Sequence, residues 1–284
     1  MKLFVMRRTP QKVMYLSVVS VCLVCSLNYF FSTLDLTETL GRGEPVFDMV
    51  DIPCDVRNKN FEVLLASPGG TGSSSGFGFF VDTLGVRSTK MNNEVDADGL
   101  KHKPYTSLIK TMLKCNLHSK VIVYQFSDPV DAVYSLYRRQ FAYQHFIKLE
   151  SNFQIQHTDL SILKNVSRYA QSGKDLFGFR RHIESYFLEA SHSTIPVIFM
   201  NTKARSNTDI VLKLVTILNI FDVNVNVNVS QSTRAAAIVK SSTSKYRNES
   251  GFDQLSNTYA PLNSFLNNLG NLSVVHRGFF TRWA

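Results

Sequence analysis

Cysteine is scarce in this chain, with four in 284 residues. Cys22 and Cys25 lie inside an apolar run, which leaves Cys54 and Cys115 to form one disulfide or to stand as two separate thiols. A disulfide-stapled scaffold is therefore excluded. Neither the cysteines nor the histidines have the spacing of a zinc site, so no metal is expected. No internal repeat is found, which removes solenoids. After residue 31 there is no second apolar run of spanning length, which removes multi-pass membrane proteins. No lysine lies between Pro68 and Leu84, which removes a Walker A loop, because Gly-x-x-x-x-Gly-Lys-Ser/Thr needs one. Gly72-Ser-Ser-Ser-Gly76 has the outline of a serine-hydrolase turn with Ser74 central, but no triad partners can be assigned.

What is present begins with nineteen uncharged residues from Val13 to Phe31. A bilayer core takes about 20 such residues as a helix. The run is longer than the roughly 7–15 residues of a signal-peptide core and lacks a small-residue cleavage site. Lys2, Arg7, Arg8 and Lys12 precede it, and Asp35, Glu38 and Glu44 follow, which puts the N-terminus in the cytoplasm. The expected plan is a cytoplasmic tail at 1–12, a transmembrane signal anchor at 13–31, a polar stem at 32–58 and one lumenal domain at 59–284. Asn165, Asn228, Asn248 and Asn271 each begin an Asn-x-Ser sequon, as suits a secretory-pathway protein. Four of the nine excess positive charges lie in the first twelve residues. The remaining +5 fits an anionic cofactor or substrate but is not a nucleic-acid-binding stripe.

The lumenal part alternates strand and helix. Phe61–Ala66 reads as a strand, followed by Pro68-Gly-Gly-Thr-Gly-Ser-Ser-Ser75 and a helical start over 76–84. Tyr105–Lys114 reads as a helix, Lys120–Phe126 as the best strand, and Val130–Ala142 as a helix entered through Ser127-Asp-Pro129. Gly173–Ser191 reads as a helix, Ile195–Met200 as a strand and Asn207–Asn219 as an amphipathic helix, while Asn224–Val229 is either an edge strand or a loop. This order predicts an α/β fold with a parallel sheet flanked by helices, and ligands at the carboxyl ends of the strands. A strand, a glycine-rich turn and a helix make an anion cradle, because curled backbone turns successive N–H groups toward one phosphate.

Three pieces in order resemble the sulfotransferase superfamily. Thr71-Gly72-Ser73-Ser74, with Phe77 nearby, stands where Golgi carbohydrate sulfotransferases carry Arg-Ser-Gly-Ser-Ser-Phe, and the family's basic residue falls on Gly70. Lys101-His102-Lys103-Pro104 is similar to Lys-Thr-His-Leu-Pro of the cytosolic members, whose histidine is the catalytic base. Asp128-Pro-Val-Asp-Ala-Val-Tyr-Ser135 keeps the spacing of Arg-Asn-Pro-x-Asp-x-x-x-Ser, with the arginine replaced by Ser127. Tyr259-Ala-Pro-Leu-Asn263 and Arg277-Gly278 are looser echoes near the end. The resemblance implies a P-loop-type fold and sulfuryl transfer from 3′-phosphoadenosine-5′-phosphosulfate (PAPS) to a hydroxyl, on a glycan or glycoprotein acceptor, by a single-pass type II Golgi protein. It implies Gly70, Thr71, Gly72, Ser73 and Ser74 around the 5′-phosphate, and Ser135 with Arg138 or Arg139 at the 3′-phosphate. His102 would be the base, with Lys101 or Lys103 the electrostatic helper. Two alternatives stand beside it. One is a Mn²⁺-dependent glycosyltransferase using Asp96-Ala-Asp98. The other is a non-catalytic binding domain, suggested by the two missing basic residues.

Overall fold

The computed structural model describes residues 60–88, 100–153, 160–226 and 246–283, with the backbone alone for 73–75 and 148–153. The expected anchor at 13–31, the stem, Asp96, Asp98 and Asn228 lie outside the described residues. Among the described residues no helix is long and apolar enough to cross a membrane.

The first buried strand is β1 (Asn60–Ala66), all but its first residue withdrawn from solvent. A short helix α1 (Ser73–Gly78) and a π-helical turn (Phe79–Thr83) follow. The chain continues through α2 (Tyr105–Lys114), β2 (His118–Phe126), α3 (Pro129–Arg138), α4 (Ala142–Phe153) and α5 (Val166–Gln171). Next come α6 (Phe179–Ala190), β3 (Val197–Asn201) and α7 (Thr208–Ile220). The described part ends in α8 (Phe252–Leu269), β4 (Leu272–His276) and β5 (Phe279–Trp283).

The fold is mixed α/β: a five-strand sheet, ordered β1-β2-β3-β4-β5, flanked by helices. The expected parallel sheet holds for the first three strands and not for the last two. β1, β2 and β3 run parallel, whereas β4 and β5 are antiparallel. The reason lies in α8, which delivers the chain to the carboxyl edge of β3, where Asn201 N–H donates to the Asn271 carbonyl. The chain must then run back. Alternation along the strands sorts the core. Val63, Leu65, Val121, Val123, Ile198 and Met200 share one face with Phe80, Leu84 and the apolar side of α7. Tyr124 and Phe199 face the other way, where Tyr124 meets Tyr186 of α6. Val63 also bridges to Ser88, on the edge of β1 away from β2.

Helix α2 matches its predicted bounds. The helix expected over 130–142 instead stops at Arg138 and restarts at Ala142. Gln140 has φ 59°, and Phe141 N–H donates to the Leu136 carbonyl while Gln140 N–H donates to Tyr137. That is a left-handed helix stop normally made by glycine. The helix expected from Gly173 starts only at Phe179, because Gly173 and Gly178 are left-handed and Asp175 receives the Arg180 N–H. Residues 224–226 form a loop, and the rest of Asn224–Val229 lies outside the described residues. Gln140→Gly is expected to raise stability by about 1 kcal/mol by removing the left-handed penalty, which thermal unfolding reads as a gain of ~2–4 °C. An unchanged or lower midpoint contradicts the helix-stop reading.

Candidate functional site

Beyond β1, Ser67 and Pro68 lead into Gly69-Gly70-Thr71-Gly72. Gly69, Gly70 and Gly72 have φ of 90°, 68° and 78°. Space makes the same demand, since a Cβ on Gly69 would strike the His145 imidazole and one on Gly70 would meet the Ala132 carbonyl oxygen of α3. The Gly70 and Thr71 amides make no backbone hydrogen bond among the described residues. Thr71 is 5% exposed, and its hydroxyl has no partner among the described residues. Ser73 and Ser74 open α1, and their side chains lie outside the described part.

Thr71 and Pro68 line a pocket with Phe126, Ser127, Pro129 and Ala132, closed by Phe179 and Ile183 of α6 and Leu262 and Leu266 of α8. The space within it is about 10 Å³, on the order of one water molecule and far below the roughly 300–1,000 Å³ of drug-sized sites. Its wall is apolar on the side of α6 and α8. Two further buried polar groups lie close to the loop. Ser67 Oγ and both amide atoms of Gln125 have no partner among the described residues, and Gln125 fills the space a Cβ on Gly76 would take. Buried polar atoms left unpaired cost about 1–3 kcal/mol each, so such a concentration calls for a ligand, water or ion.

His102, expected as a base, is brought to this loop. It is 6% exposed, and its ring lies 2.7 Å from the Ser67 carbonyl oxygen through Nδ1. A carbonyl only accepts, so Nδ1 carries the hydrogen and Nε2 is the basic nitrogen of the neutral ring. Lys101 and Lys103 are brought to the same place and are buried. Their carbonyls accept from Ser67 N–H and from Tyr186 O–H at 2.8 Å each. Two histidines were not foreseen. His145 of α4 donates Nε2–H to the Pro68 carbonyl at 2.8 Å and stands edge-to-face with His102, centroids 5.2 Å apart. His182 of α6 donates Nε2–H to the His102 carbonyl at 3.1 Å and accepts from Tyr124 O–H at 2.9 Å. Burial holds His182 down to a pKa of about 3, so it is neutral. Neither has a local sequence signal, since each reaches its partner across the fold. Gln125 did have one, as a lone amide in an otherwise apolar strand end.

The β2–α3 junction forms as its sequence predicts. Asp128 caps α3 by accepting Val130 N–H at 2.8 Å, and burial raises its pKa. Asp131 pairs with Lys203 at 3.5 Å, tying the ends of β2 and β3. Ser135 lies one turn beyond Ala132 on the same helix face, half-buried, and Arg139 follows one turn later. Arg139 Nε donates to the Ser135 carbonyl at 3.2 Å and its guanidinium lies over Phe141. Arg138 and Arg139 are both exposed, at the far end of α3 from the pocket. The late echoes fall elsewhere. Tyr259 bonds Tyr169 and Asp175 in a buried network. Arg277-Gly278 is the β4–β5 turn, at the amino edge of the parallel strands because Val275 pairs with Val197. It is therefore remote from the loop. Among the described residues no His, Cys, Asp and Glu cluster is arranged to hold a metal.

An unfolded imidazole titrates near 6.5, against about 3 for His182 in the fold. Between those values only the unfolded chain holds the proton. Stability is therefore lost as pH falls through that window, by up to about 1.4 kcal/mol per pH unit from this group, and this loss is absent above it. Denaturant titrations at pH 7.5 and 5 should show a smaller loss for His182→Gln than for the wild type, and equal losses contradict a neutral buried His182. Comparison with protein-family models, curated proteins and solved structures returned no match.

Proposed function

We propose that this chain is a sulfotransferase-like enzyme that transfers a sulfuryl group from PAPS to a hydroxyl, most simply one on a glycan. The observation that carries the reading is the buried Thr71 hydroxyl, without a partner among the described residues, beside three left-handed glycines at the end of β1. A cradle of this kind offers hydrogen-bond donors to a tetrahedral anion.

When bound, the cofactor supplies an activated sulfuryl group whose phosphate end leaves with the bond electrons. The chain's own residues do the rest. Gly70 to Ser74 would hold the 5′-phosphate through backbone N–H groups and the Thr71 hydroxyl. Ser135 with Arg139, or Arg138, would hold the 3′-phosphate, arginine being suited to bidentate contacts. His102 would take the acceptor proton on Nε2, a role to which its carbonyl-bound Nδ1–H fits it. Lys101 and Lys103 flank that base and would lend positive charge to the developing anions. The departures at Gly70 and Ser127 leave the site with fewer cations than the family uses, so slow turnover is expected. A Golgi location with a lumenal domain accords with two further features. Cys115 is disulfide-bonded, a state that persists in oxidising compartments, and Asn165 and Asn248 are exposed at their sequons.

The test is calorimetry of the full-length chain in detergent with 3′-phosphoadenosine-5′-phosphate. Micromolar binding is expected, weakened about tenfold by Thr71→Val and by Ser135→Ala, since a hydrogen bond to a charged group is worth about 1.5–3 kcal/mol. Absent binding overturns the reading, and binding of a sugar nucleotide with Mn²⁺ instead would establish the glycosyltransferase.

A further inference from the structure

The anion cradle has an electrostatic gap, because no lysine or arginine occurs between Pro68 and Leu84. His145 comes from α4 into the space that a side chain at position 69 would occupy. The imidazole packs so closely on Gly69 that any Cβ there would overlap it. Its Nε2–H is fixed on the Pro68 carbonyl, one residue before the loop, and Phe177 packs against the ring. The ring is 6% exposed. Burial by itself disfavours a charge there, as it does on His182, so the second proton is stabilised only with an anion beside it, and the two attract strongly through little water. Thr71, whose buried hydroxyl has no partner among the described residues, stands two residues beyond Gly69 in the same loop.

We propose that His145 supplies, from another element, the positive charge that the loop's own sequence lacks, so that the cradle takes a sulfate or phosphate oxyanion most strongly when this imidazole carries two protons. The inference rests on the anion-cradle reading and adds a residue to it. His145 is a positioning residue while neutral, through its bond to Pro68. On gaining a second proton it becomes the cation of the site. The charge would thus be present at acid pH and lost as pH rises.

Other groups bear on this ring. His102 lies edge-on to it, with Lys101 and Lys103 flanking His102 in the chain. His182 of α6 feels its charge, and a positive His145 opposes a second positive charge there. Tyr137 of α3 and Tyr169 of α5 pack on the same Phe177 ring, and Arg138 and Arg139 end the preceding helix. Lysines, arginines and tyrosines ordinarily keep one charge state between pH 5.5 and 8. The strong burial of His182 keeps it neutral there. Among the described residues around the ring, only His102 competes with His145 for the role.

The experiment titrates the full-length chain with inorganic sulfate, whose own charge is constant over this range, at pH 5.5, 6.5 and 8. Wild type is expected to bind at least tenfold more tightly at pH 5.5 than at pH 8. His145→Gln, whose amide can still donate to Pro68, should flatten that profile to within twofold, and His102→Gln should keep it. Proton uptake on sulfate binding, read at pH 6.5 in buffers of different ionisation heat, tests the wild type alone should a variant misfold. Uptake supports the inference, and zero uptake overturns it. A pH profile that survives in His145→Gln, or disappears in His102→Gln, also overturns it while leaving the cradle intact. Failure of wild type to bind sulfate or 3′-phosphoadenosine-5′-phosphate at any pH overturns the cradle itself.

Discussion

Two imidazole N–H groups grip consecutive carbonyls where β1 gives way to the glycine-rich loop, His102 on Ser67 and His145 on Pro68. The rest of the site depends on this grip. A loop with three left-handed glycines has no ladder or helix to satisfy its backbone, and flexible glycines lose much entropy on being fixed. It must be held from outside. The Lys101 carbonyl completes the hold by receiving Ser67 N–H. With its entrance fixed on three sides, the loop leaves the Gly70 and Thr71 amides without a backbone partner and the Thr71 hydroxyl without any partner among the described residues, as the proposed anion site requires.

The holders are themselves held. His182 is neutral, and its ring joins the His102 carbonyl to the Tyr124 hydroxyl on β2. Tyr186 reaches the next carbonyl, that of Lys103. One face of α6 therefore aligns the 101–103 segment against the sheet, and burial of Tyr124 and Tyr186 raises both hydroxyl pKa values so that they remain donors. On the other side of the loop, a Cβ on Gly70 would strike the Ala132 carbonyl, so α3 leaves no room for a side chain there. An added methyl at 69, 70 or 76 would push against packed groups on three different elements, which ties these glycines to the shape of the site as well as to backbone freedom.

Much of the fold was legible because its signals are local. A β-branched and aromatic run marks β2, Asp128-Pro129 marks the start of α3, and Asn207 caps α7 through the Asp209 and Ile210 amides. The end of α3 was not legible, since Gln140 adopts a conformation that sequence patterns assign to glycine. Nor was the direction of β4, which depends on where α8 sets the chain down. The loop announced itself through its glycines, and His102 through its distance from Pro104. His145 was invisible because its meaning comes from packing on Gly69, and nothing about a histidine on an amphipathic helix reveals that. Gln125 was readable in principle, as an amide at the end of a buried apolar strand.

The central claim is that the backbone of this loop is kept open for a tetrahedral anion. Hydrogen–deuterium exchange of the full-length chain, with and without saturating 3′-phosphoadenosine-5′-phosphate, measures this directly. The account predicts rapid exchange at Gly70 to Ser74 in the free protein, strong slowing there on addition of the ligand, and little change at Arg277 and Gly278. Slow exchange in the free protein, or unaltered exchange across 69–74 with ligand present, would contradict it.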